Sequence, residues 1–380
     1  TPYSVPQSVQ TVLQLLAPTD DPRMLGRIGN YEVAGIVGAG GMSVVLKALD
    51  PALDRYVAIK VMAPHLATSG AARKRFAREA QAAAAIVHEN VIAIHGVSEA
   101  VGLPYLVMPY VKGDSLQKRL DEQGPLELKE ILRIAVQTAH GLAAAHAQGL
   151  VHRDVKPANI LLADGVERVT ITDFGLARAA DDASLTRTGT IAGTPQYMSP
   201  EQARGERIDQ RSDLFSLGSL IYAMCTGHPP FRAESSYGIL RRISDSDPRS
   251  IRKWNEDIPT WLCQLVQRLH QKTPDNRYPS AAAVASDLEQ CLAHVQQPVL
   301  EDVPAHLISS PRRLAWRNVF AILGCTVVAV ALAFVVRDLQ RSSSVSPLNQ
   351  TNAPTPPALE HKPAKAESVG EATRSHPCLL

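Results

Sequence analysis

The 380-residue sequence is poor in aromatic residues and in cysteine, and it contains no long block of basic residues. Its five cysteines are scattered, odd in number and without a Cys-x-x-Cys pair. This usage argues against a disulfide framework or a zinc site and favours reduced thiols in the cytosol. The formal net charge is only +2, so nucleic acid is not an expected partner. The first 22 residues have no basic region and only a short apolar run, so a signal peptide is not expected.

Composition divides the chain into five zones. Residues 1–30 contain four prolines and predict a flexible leader. Residues 31–295 alternate between strand and helix patterns and predict one folded domain. The zones that follow are a connector over 296–313, a largely apolar segment over 314–336, and a tail rich in Pro, Ser and Thr over 337–380.

Strand patterns fill the first third of the folded domain, and helix patterns dominate the rest. Strand-like runs at 31–37, 44–49 and 56–62 precede a helical stretch over about 71–86. Farther on, apolar residues recur at i, i+3, i+4 and i+7 from Leu128 to Ala143, which is typical of a long amphipathic helix. Strands followed by helices predict an α+β protein of two lobes with a cleft between them.

A glycine cluster lies between the first two strand-like runs and contains Gly38, Gly40 and Gly41. Glycine lets a hairpin lie close over phosphates and offer backbone N–H groups. A plain glycine-rich turn is an equally common reading. A dinucleotide site is disfavoured because Ser43 replaces the third glycine and a strand follows it. A Walker P-loop fails because no Gly-Lys-Ser/Thr follows.

Lys60 closes the third strand-like run, and Glu79 follows nineteen residues later in a helical stretch. A lysine in this position is usually a surface residue whose stem packs on apolar neighbours. Paired with Glu79, it would instead hold its ammonium over the cleft, where it can meet the α- and β-phosphates of ATP.

The run from Val151 to Asn159 is more specific, and Asp173-Phe174-Gly175 follows it. Phosphoryl transfer needs a carboxylate to orient the attacking hydroxyl, a cation for the γ-phosphate and oxygen ligands for Mg²⁺. Asp154 and Lys156 suit the first two roles. Asn159 and Asp173 suit the metal. A chance match to all four positions at these spacings is very improbable.

These motifs resemble the protein kinase family, and within it the bacterial transmembrane serine/threonine kinases. The resemblance covers roughly residues 31–295 and implies a small antiparallel sheet lobe with one helix, then a larger, mainly helical lobe. It implies that Asp213 holds the backbone of the catalytic loop and that Arg277 pairs with Glu201. Lys156 and Thr194 indicate serine or threonine as the acceptor. The implied catalytic residues are Asp154, Lys156, Lys60 and Glu79.

The resemblance also implies ATP as cofactor, with Mg²⁺, or Mn²⁺ as an alternative, on Asn159 and Asp173. Pro109 departs from the usual Glu of the segment that joins the lobes, but its carbonyl can still accept from adenine. The implied ATP-binding residues are Val37, Gly38, Gly40, Gly41, Ser43, Val45, Ala58, Lys60, Met108, Pro109, Val111 and Leu161.

Hydroxyl residues follow Asp173, and Thr186 and Thr188 match paired threonines of related bacterial kinases. Most loop hydroxyls are merely solvated. Arg153 precedes the catalytic aspartate, however, and a phosphothreonine would bring it an anionic partner. We therefore expect autophosphorylation at Thr186 and Thr188. Expected partners are proteins with acceptor Ser or Thr residues, and a second copy of the chain for autophosphorylation in trans.

A single membrane-spanning helix is expected over 314–336. The last 18 residues of this segment carry no charge and would span about 27 Å as a helix, close to the hydrocarbon thickness of a bilayer. A buried helix of a soluble domain is the alternative. The expected location is the inner membrane, with the domain at 31–295 in the cytoplasm. Two other functions stay open. One is a pseudokinase, which has no turnover. The other is a membrane receptor, although the tail over 337–380 is too short to form a ligand-binding core.

Overall fold

A computed structural model of the chain describes residues 6–163, 168–174 and 195–308. The described residues fold into two lobes that follow each other along the sequence. The first lobe is built around a β-sheet, and the second is mainly helical. The first lobe holds a six-stranded antiparallel sheet in the order β1-β2-β3-β4-β6-β5. Its strands are β1 (Gly26–Ile28), β2 (Tyr31–Ala39), β3 (Ser43–Asp50), β4 (Arg55–Met62), β5 (Gly96–Ala100) and β6 (Leu103–Pro109).

Alternation along β3 determines which side chains face the core and which face the cleft. Val44, Leu46 and Ala48 are buried, whereas Val45 and Lys47 between them point to the opposite face. The buried face of the sheet is covered by α1 (Gln7–Gln14), α2 (Pro64–Ala67) and α3 (Gly70–Ala84), which share one apolar core with it. Because successive residues alternate, the other face of β3 and β4 is left to line a site.

Helix α3 forms because its sequence combines a capped start with a narrow apolar face. Its N-cap Ser69 accepts from the N–H of Ala72. The buried residues Ala72, Phe76, Ala80 and Ala83 recur at helical spacing. Small side chains on this face let α3 lie close to the sheet.

The expectation of a flexible leader over 1–30 does not describe residues 6–30. Helix α1 buries Val9 and Val12 in the core of the small lobe, and Ala17 forms a bridge to Arg27. The apolar side chains Val9, Val12, Leu13 and Leu16 recur at i, i+3, i+4 and i+7, as on an amphipathic helix. The prolines lie outside this helical stretch, so they delimit α1 and do not break it.

The second lobe is mainly helical and begins with a small sheet of three strands. The strands β7 (Gly113–Ser115), β8 (Ile160–Ala163) and β9 (Val169–Ile171) form this sheet in that order. Its helices are α4 (Leu116–Gln123), α5 (Leu128–Ala147), α6 (Pro200–Arg204), α7 (Gln210–Thr226), α8 (Ser236–Asp245), α9 (Thr260–Leu269), α10 (Ala281–Gln296) and α11 (Ala305–Ile308).

Helix α7 is the central element of the second lobe. All its residues from Ser212 to Thr226 are buried, which is typical of a helix surrounded by others. It packs against α5 and α9, and these helices share one apolar core with α10 and with β8 and β9. The polar side chains of α7, among them Asp213, therefore need partners inside the protein.

The predicted connector over 296–313 is partly packed. Val303 and Leu307 are buried in the core of the second lobe, and α11 lies against α9. No helix within 6–163, 168–174 and 195–308 is apolar over a length sufficient to cross a bilayer. The segments predicted as a membrane helix (314–336) and as a tail (337–380) lie outside the described residues.

Substitution of Val12 tests the role of α1. Val12 is 1% exposed, so Val12→Ala leaves a cavity and should lower the free energy of unfolding by about 2 kcal/mol. Urea denaturation followed by circular dichroism measures this change. Gln14→Ala, at an exposed position of the same helix, is the control and should change stability by less than about 0.5 kcal/mol. Equal urea midpoints for Val12→Ala and Gln14→Ala would show that α1 does not stabilise the first lobe.

Candidate active site

One buried carboxylate fixes the loop that carries Asp154. Asp213 of α7 accepts from the backbone N–H of His152 at 2.8 Å and from that of Arg153 at 2.7 Å. The ring of His146, on α5, lies 2.8 Å from the same carboxylate. Arg153 has a φ of 64°, an unfavourable conformation for a residue with a side chain. Two directed hydrogen bonds from the loop to Asp213 therefore stabilise a strained backbone.

Asp154 lies next to a cation and an amide. Its Oδ2 accepts from Lys156 Nζ at 2.7 Å and from Asn159 Nδ2 at 3.1 Å. Asn159 Nδ2 also donates to the carbonyl of Asp154 at 2.8 Å. The side chain of Asp154 is 24% exposed. These contacts orient the carboxylate while leaving it open to solvent on one side.

His152 connects this loop with the segment that carries Asp173. The N–H of Asp154 donates to His152 Nδ1 at 3.2 Å, so Nδ1 acts as acceptor and the proton lies on Nε2. Nε2 lies 2.9 Å from the carbonyl of Thr172, to which it donates. The ring packs on Phe174 with centroids 4.5 Å apart. The structure thereby brings the two sequence motifs together.

Lys60 and Asp173 form an ion pair in the cleft. Lys60 Nζ lies 2.8 Å from Asp173 Oδ1, and the lysine is buried. Burial acts to raise the pKa of Asp173, but the charge of Lys60, its hydrogen bond to the carboxylate and the charge of Lys156 hold that pKa below its usual value. Asp173 is therefore an anion at neutral pH, as a metal ligand must be.

The predicted pairing of Lys60 with Glu79 is not seen: among the described residues, the carboxylate that contacts Lys60 is Asp173. Glu79 is half-buried on α3. Burial raises its pKa to about 7, although the charges of Arg153, Arg75 and Lys60 act in the opposite direction. Two acidic groups compete for one ammonium, and sequence spacing alone does not reveal which of them is nearer.

The glycine cluster forms the hairpin between β2 and β3. The N–H of Gly40 donates to the carbonyl of Ser43 at 2.9 Å. A Cβ added to Gly38, Gly40 or Gly41 would meet no atom within 4 Å, and none of the three has a positive φ. Neither packing nor backbone conformation requires glycine here. The backbone of this hairpin is therefore open to close approach, as the expected contact with phosphates requires.

A small apolar cluster lies between the sheet and the segment that joins the lobes. Ala58, Ile92 and Met108 are buried together, and Val45, Tyr110 and Val111 pack against them. A pocket lined by such apolar side chains suits a planar heterocycle. Pro109 closes β6 opposite Val57. Val37 is exposed on β2 and Leu161 lies half-buried on β8, both outside this cluster.

A second buried ion pair lies below the cleft. Arg277 contacts both oxygens of Glu201, at 2.7 and 2.8 Å, and Ser212 donates to the same carboxylate. The arginine also donates to the carbonyls of Gln271 and Arg211. Burial acts to raise the pKa of Glu201, but Arg277 and Ser212 lower it below its usual value. This pair is fully hydrogen-bonded, as a buried pair must be to persist.

The expected metal ligands fit magnesium. The described residues hold no group of three His, Cys, Asp or Glu side chains that could bind a metal alone. Mg²⁺ does not need one, because it keeps several waters and uses one or two carboxylates beside phosphate oxygens. Asp173 and the amide oxygen of Asn159 supply such oxygen ligands. Gly175, Thr186, Thr188 and Thr194 lie outside the described residues.

Comparison with known proteins agrees with this geometry. Residues 31–294 match the protein kinase domain. The chain belongs to the protein kinase family. It is 41% identical over 273 residues to the serine/threonine-protein kinase PknB of Mycobacterium leprae, covering 70% of this chain and 43% of that protein. It is 36% identical over 261 residues to the serine/threonine-protein kinase PrkC of Bacillus subtilis, covering 69% and 40%.

Solved structures show the same architecture. The kinase domain of Mycobacterium tuberculosis PknI superposes with a TM-score of 0.57 and 27% identity, covering 70% of this chain and 97% of that one. The two-lobed kinase fold expected from the sequence is confirmed. This chain spans less than half the length of the curated relatives it matches.

Three residues at the edge of the kinase cleft were not found from the sequence. Lys47 Nζ lies over the rings of Tyr56 and Tyr110, at 4.3 and 4.7 Å from their centroids. The two rings lie 6.4 Å apart. Lys47 faces the cleft side of β3 opposite Ala58, and Tyr110 belongs to the segment that joins the lobes. This aromatic clasp (Lys47, Tyr56 and Tyr110) fastens the joining segment to the sheet.

We predict that the aromatic clasp supports ATP binding by holding the backbone of 109–111 in place. Lys47→Met removes the cation while keeping an apolar stem, and it should weaken ATP binding about threefold, as expected for loss of a partly exposed cation–π contact. Isothermal titration calorimetry with Mg-ATP measures this. Lys47→Arg, which keeps a cation over the rings, should bind as wild type. Unchanged affinity in Lys47→Met would contradict this role.

Proposed function

We propose that the protein is an ATP-dependent serine/threonine protein kinase. The observation that carries the proposal is the geometry of Asp154, whose carboxylate contacts Lys156 and Asn159 on a loop fixed by Asp213. A carboxylate and a lysine held 2.7 Å apart can orient a hydroxyl and neutralise a phosphate at the same place. The names of PknB and PrkC as serine/threonine-protein kinases support the choice of acceptor.

In this proposal each side chain has a separate task. Asp154 accepts a hydrogen bond from the acceptor hydroxyl and directs its oxygen toward the γ-phosphate. Lys156 neutralises charge that develops on the transferred group. Lys60, once it leaves Asp173, meets the α- and β-phosphates. The glycine hairpin offers its backbone N–H groups to the phosphates.

Asn159 and Asp173 would hold magnesium in this scheme, which when bound neutralises the phosphates and fixes their orientation. Their own fold prepares them for this task. Asn159 is oriented by its two contacts to Asp154. Asp173 stays ionised because of the surrounding cations. ATP and Mg²⁺ are therefore the proposed cofactors, with Mn²⁺ as a substitute of similar ligand preference.

Substitution of the two acidic residues tests the proposed chemistry. Asp154→Asn and Asp173→Asn should each lower kcat at least about 100-fold, because one removes the hydroxyl-orienting carboxylate and the other a metal ligand. Phosphate transfer from radiolabelled ATP to a threonine peptide measures this. The exposed control Asp257→Asn should keep wild-type turnover. An Asp173→Asn protein with normal turnover and a normal melting curve would refute the metal site, and an inactive wild type would indicate a pseudokinase.

Autophosphorylation at Thr186 and Thr188 is part of the proposal. Both follow Asp173 in sequence, and each phosphate would bring nearly two negative charges close to the cationic residues of the catalytic loop. A second copy of the chain would act as the enzyme, which makes a transient homodimer the proposed assembly for this step.

Mass spectrometry of active protein checks the two threonines. Phosphate is expected at both, and Thr186→Ala combined with Thr188→Ala should lower kcat at least about tenfold, because the loop loses its anionic contacts. Ser184→Ala, in the same segment, serves as the matched control and should retain activity. A fully active enzyme without phosphate on the segment would rule out this regulation.

A membrane anchor over 314–336 is the proposed basis of localisation. Its 18 uncharged residues from Val319 to Val336 suffice for a bilayer. ATP and reduced thiols favour a cytoplasmic position for the kinase domain. Anchored copies would meet often, which supports phosphorylation in trans. The partners in this proposal are membrane lipid, a second copy and proteins with acceptor Ser or Thr residues, without nucleic acid.

Cell fractionation tests the anchor. The full chain should sediment with membranes and require detergent for release, because burial of the apolar segment in lipid is strongly favourable. Protease added outside the inner membrane should remove only the last few kilodaltons. A control chain with Val328→Arg and Ala331→Arg places two charges at the bilayer centre and should become soluble. Wild type found in the soluble fraction would end the proposal.

A further inference from the structure

A groove of about 750 Å³ lies in the second lobe, apart from the nucleotide site. It is formed by the end of α7, the loop at 228–234, helix α8 and the segment from Ser246 to Trp254. None of the residues assigned above to ATP, magnesium or catalysis lines it. Its volume is sufficient for a few residues of a bound peptide.

Three arginines line this groove: Arg232, Arg242 and Arg249. All three are exposed. Within the described part of the chain, no carboxylate lies within ion-pair distance of any of them, although Glu234 and Asp247 also line the groove. Arg242 instead donates to the carbonyl of Arg232 at 2.6 Å. The guanidinium groups therefore keep donors for an external anion.

Aromatic residues form the other part of the groove. Trp254 packs edge-on against His228, with centroids 5.4 Å apart, and Arg249 lies over the Trp254 ring at 5.9 Å. Such stacking holds a guanidinium in place without neutralising it. Tyr222 is buried. Burial raises the pKa of its hydroxyl, whereas a hydrogen bond from Trp254 and the charges of Arg249 and Arg232 act to lower it.

Helix α8 connects the groove with the region of the catalytic loop. It packs on α6 and on the turn at Pro195–Tyr197, which follows the segment after Asp173. Gln202 of α6 donates to the carbonyl of Arg153, next to Asp154, at 2.8 Å. The groove is therefore connected to the segment beside Asp154 through two packed helices, α8 and α6.

We propose that this groove binds an acidic segment of the protein substrate, in which Asp or Glu side chains meet Arg232 and Arg249 and an apolar residue covers Trp254. Carboxylates fit planar guanidinium groups through paired hydrogen bonds. Pro229 and Pro230 give the groove a wall with little conformational freedom. Glu234 and Asp247 would repel a segment that is negatively charged along its whole length. The groove therefore selects segments whose Asp or Glu side chains lie beside the arginines. The proposal rests on the proposed kinase function, because it names a class of substrate.

The test uses the full chain and four peptides that share one acceptor threonine. The second half of every peptide contains a Leu-Pro pair, and the residues beside this pair differ. They are four Glu in the first peptide, four Gln in the second, four Lys in the third, and two phosphoserines among Gln residues in the fourth. The Glu peptide should have a KM roughly 5- to 10-fold below that of the Gln peptide, with equal kcat, as expected for two partly exposed charge contacts. This preference should diminish with added salt.

Combined Arg232→Ala and Arg249→Ala should abolish the difference between the Glu and Gln peptides while leaving the KM for ATP and the rate on the Gln peptide unchanged. Arg241→Ala is the matched control. Arg241 lies on α8 outside the groove and has Asp245 at 3.9 Å, so its loss should preserve the preference. Combined Arg232→Glu and Arg249→Glu should shift the preference to the Lys peptide.

Fluorescence anisotropy with labelled peptides separates failure of the groove from failure of catalysis, since binding is measured without turnover. Equal binding of the Glu and Gln peptides, or a Glu preference that survives both alanine substitutions, would overturn the proposal. Binding of the phosphoserine peptide alone would also overturn it, because the proposed ligand is a carboxylate. Selective binding of the Glu peptide that the two alanines remove would support it.

Discussion

Asp213 is fully buried, and the hydrogen bonds of its carboxylate fix the conformation of the loop that carries Asp154. A buried carboxylate is unfavourable unless hydrogen-bond donors surround it. The backbone N–H groups of His152 and Arg153 are two of these donors. These hydrogen bonds offset the energetic cost of the strained backbone conformation of Arg153. Asp154 follows directly, and its position is therefore set by a residue 59 positions away in the sequence and not by local propensity.

Other buried polar contacts extend from this centre. Gln202 donates to the carbonyl of Arg153, and its neighbour Glu201 pairs with Arg277 beyond α7. The loop that carries Asp154, α6 and the turn before α10 thus belong to one network around α7, a helix that is buried along most of its length. Removing one member would leave a buried group without its partner, which is more costly than losing a surface contact. The second lobe provides a rigid support, whereas Lys60 reaches the site from the other lobe.

Much of the site could be read from sequence because its residues occur in short runs. Asp154, Lys156 and Asn159 lie within six residues, and the loop between them leaves few ways to arrange them. The fold class followed from the periodicity of strands and helices. Contacts between distant segments could not be read in this way. The aromatic clasp joins β3, β4 and the joining segment, and its members carry no local signal. Helix α1 did carry an apolar repeat, but the prolines around it favoured a flexible reading.

The pairing of Lys60 with Asp173 and the partial burial of Glu79 affect proton equilibria that no sequence pattern contains. The pKa of Asp173 is below its usual value, while that of Glu79 is raised to about 7. Between about pH 4.5 and 7, Glu79 holds a proton in this fold that it would lose in the unfolded chain, so stability falls as pH rises through that range. Below pH 7 a protonated Glu79 offers no charge to Lys60, and Asp173 keeps the ammonium. Above pH 7 the ionised Glu79 is poorly solvated where it lies, and any arrangement that brings it to a cation becomes more favourable. The raised pKa of Glu79 is thus a consequence of the observed arrangement, in which α3 partly buries this carboxylate while Asp173 contacts the ammonium of Lys60.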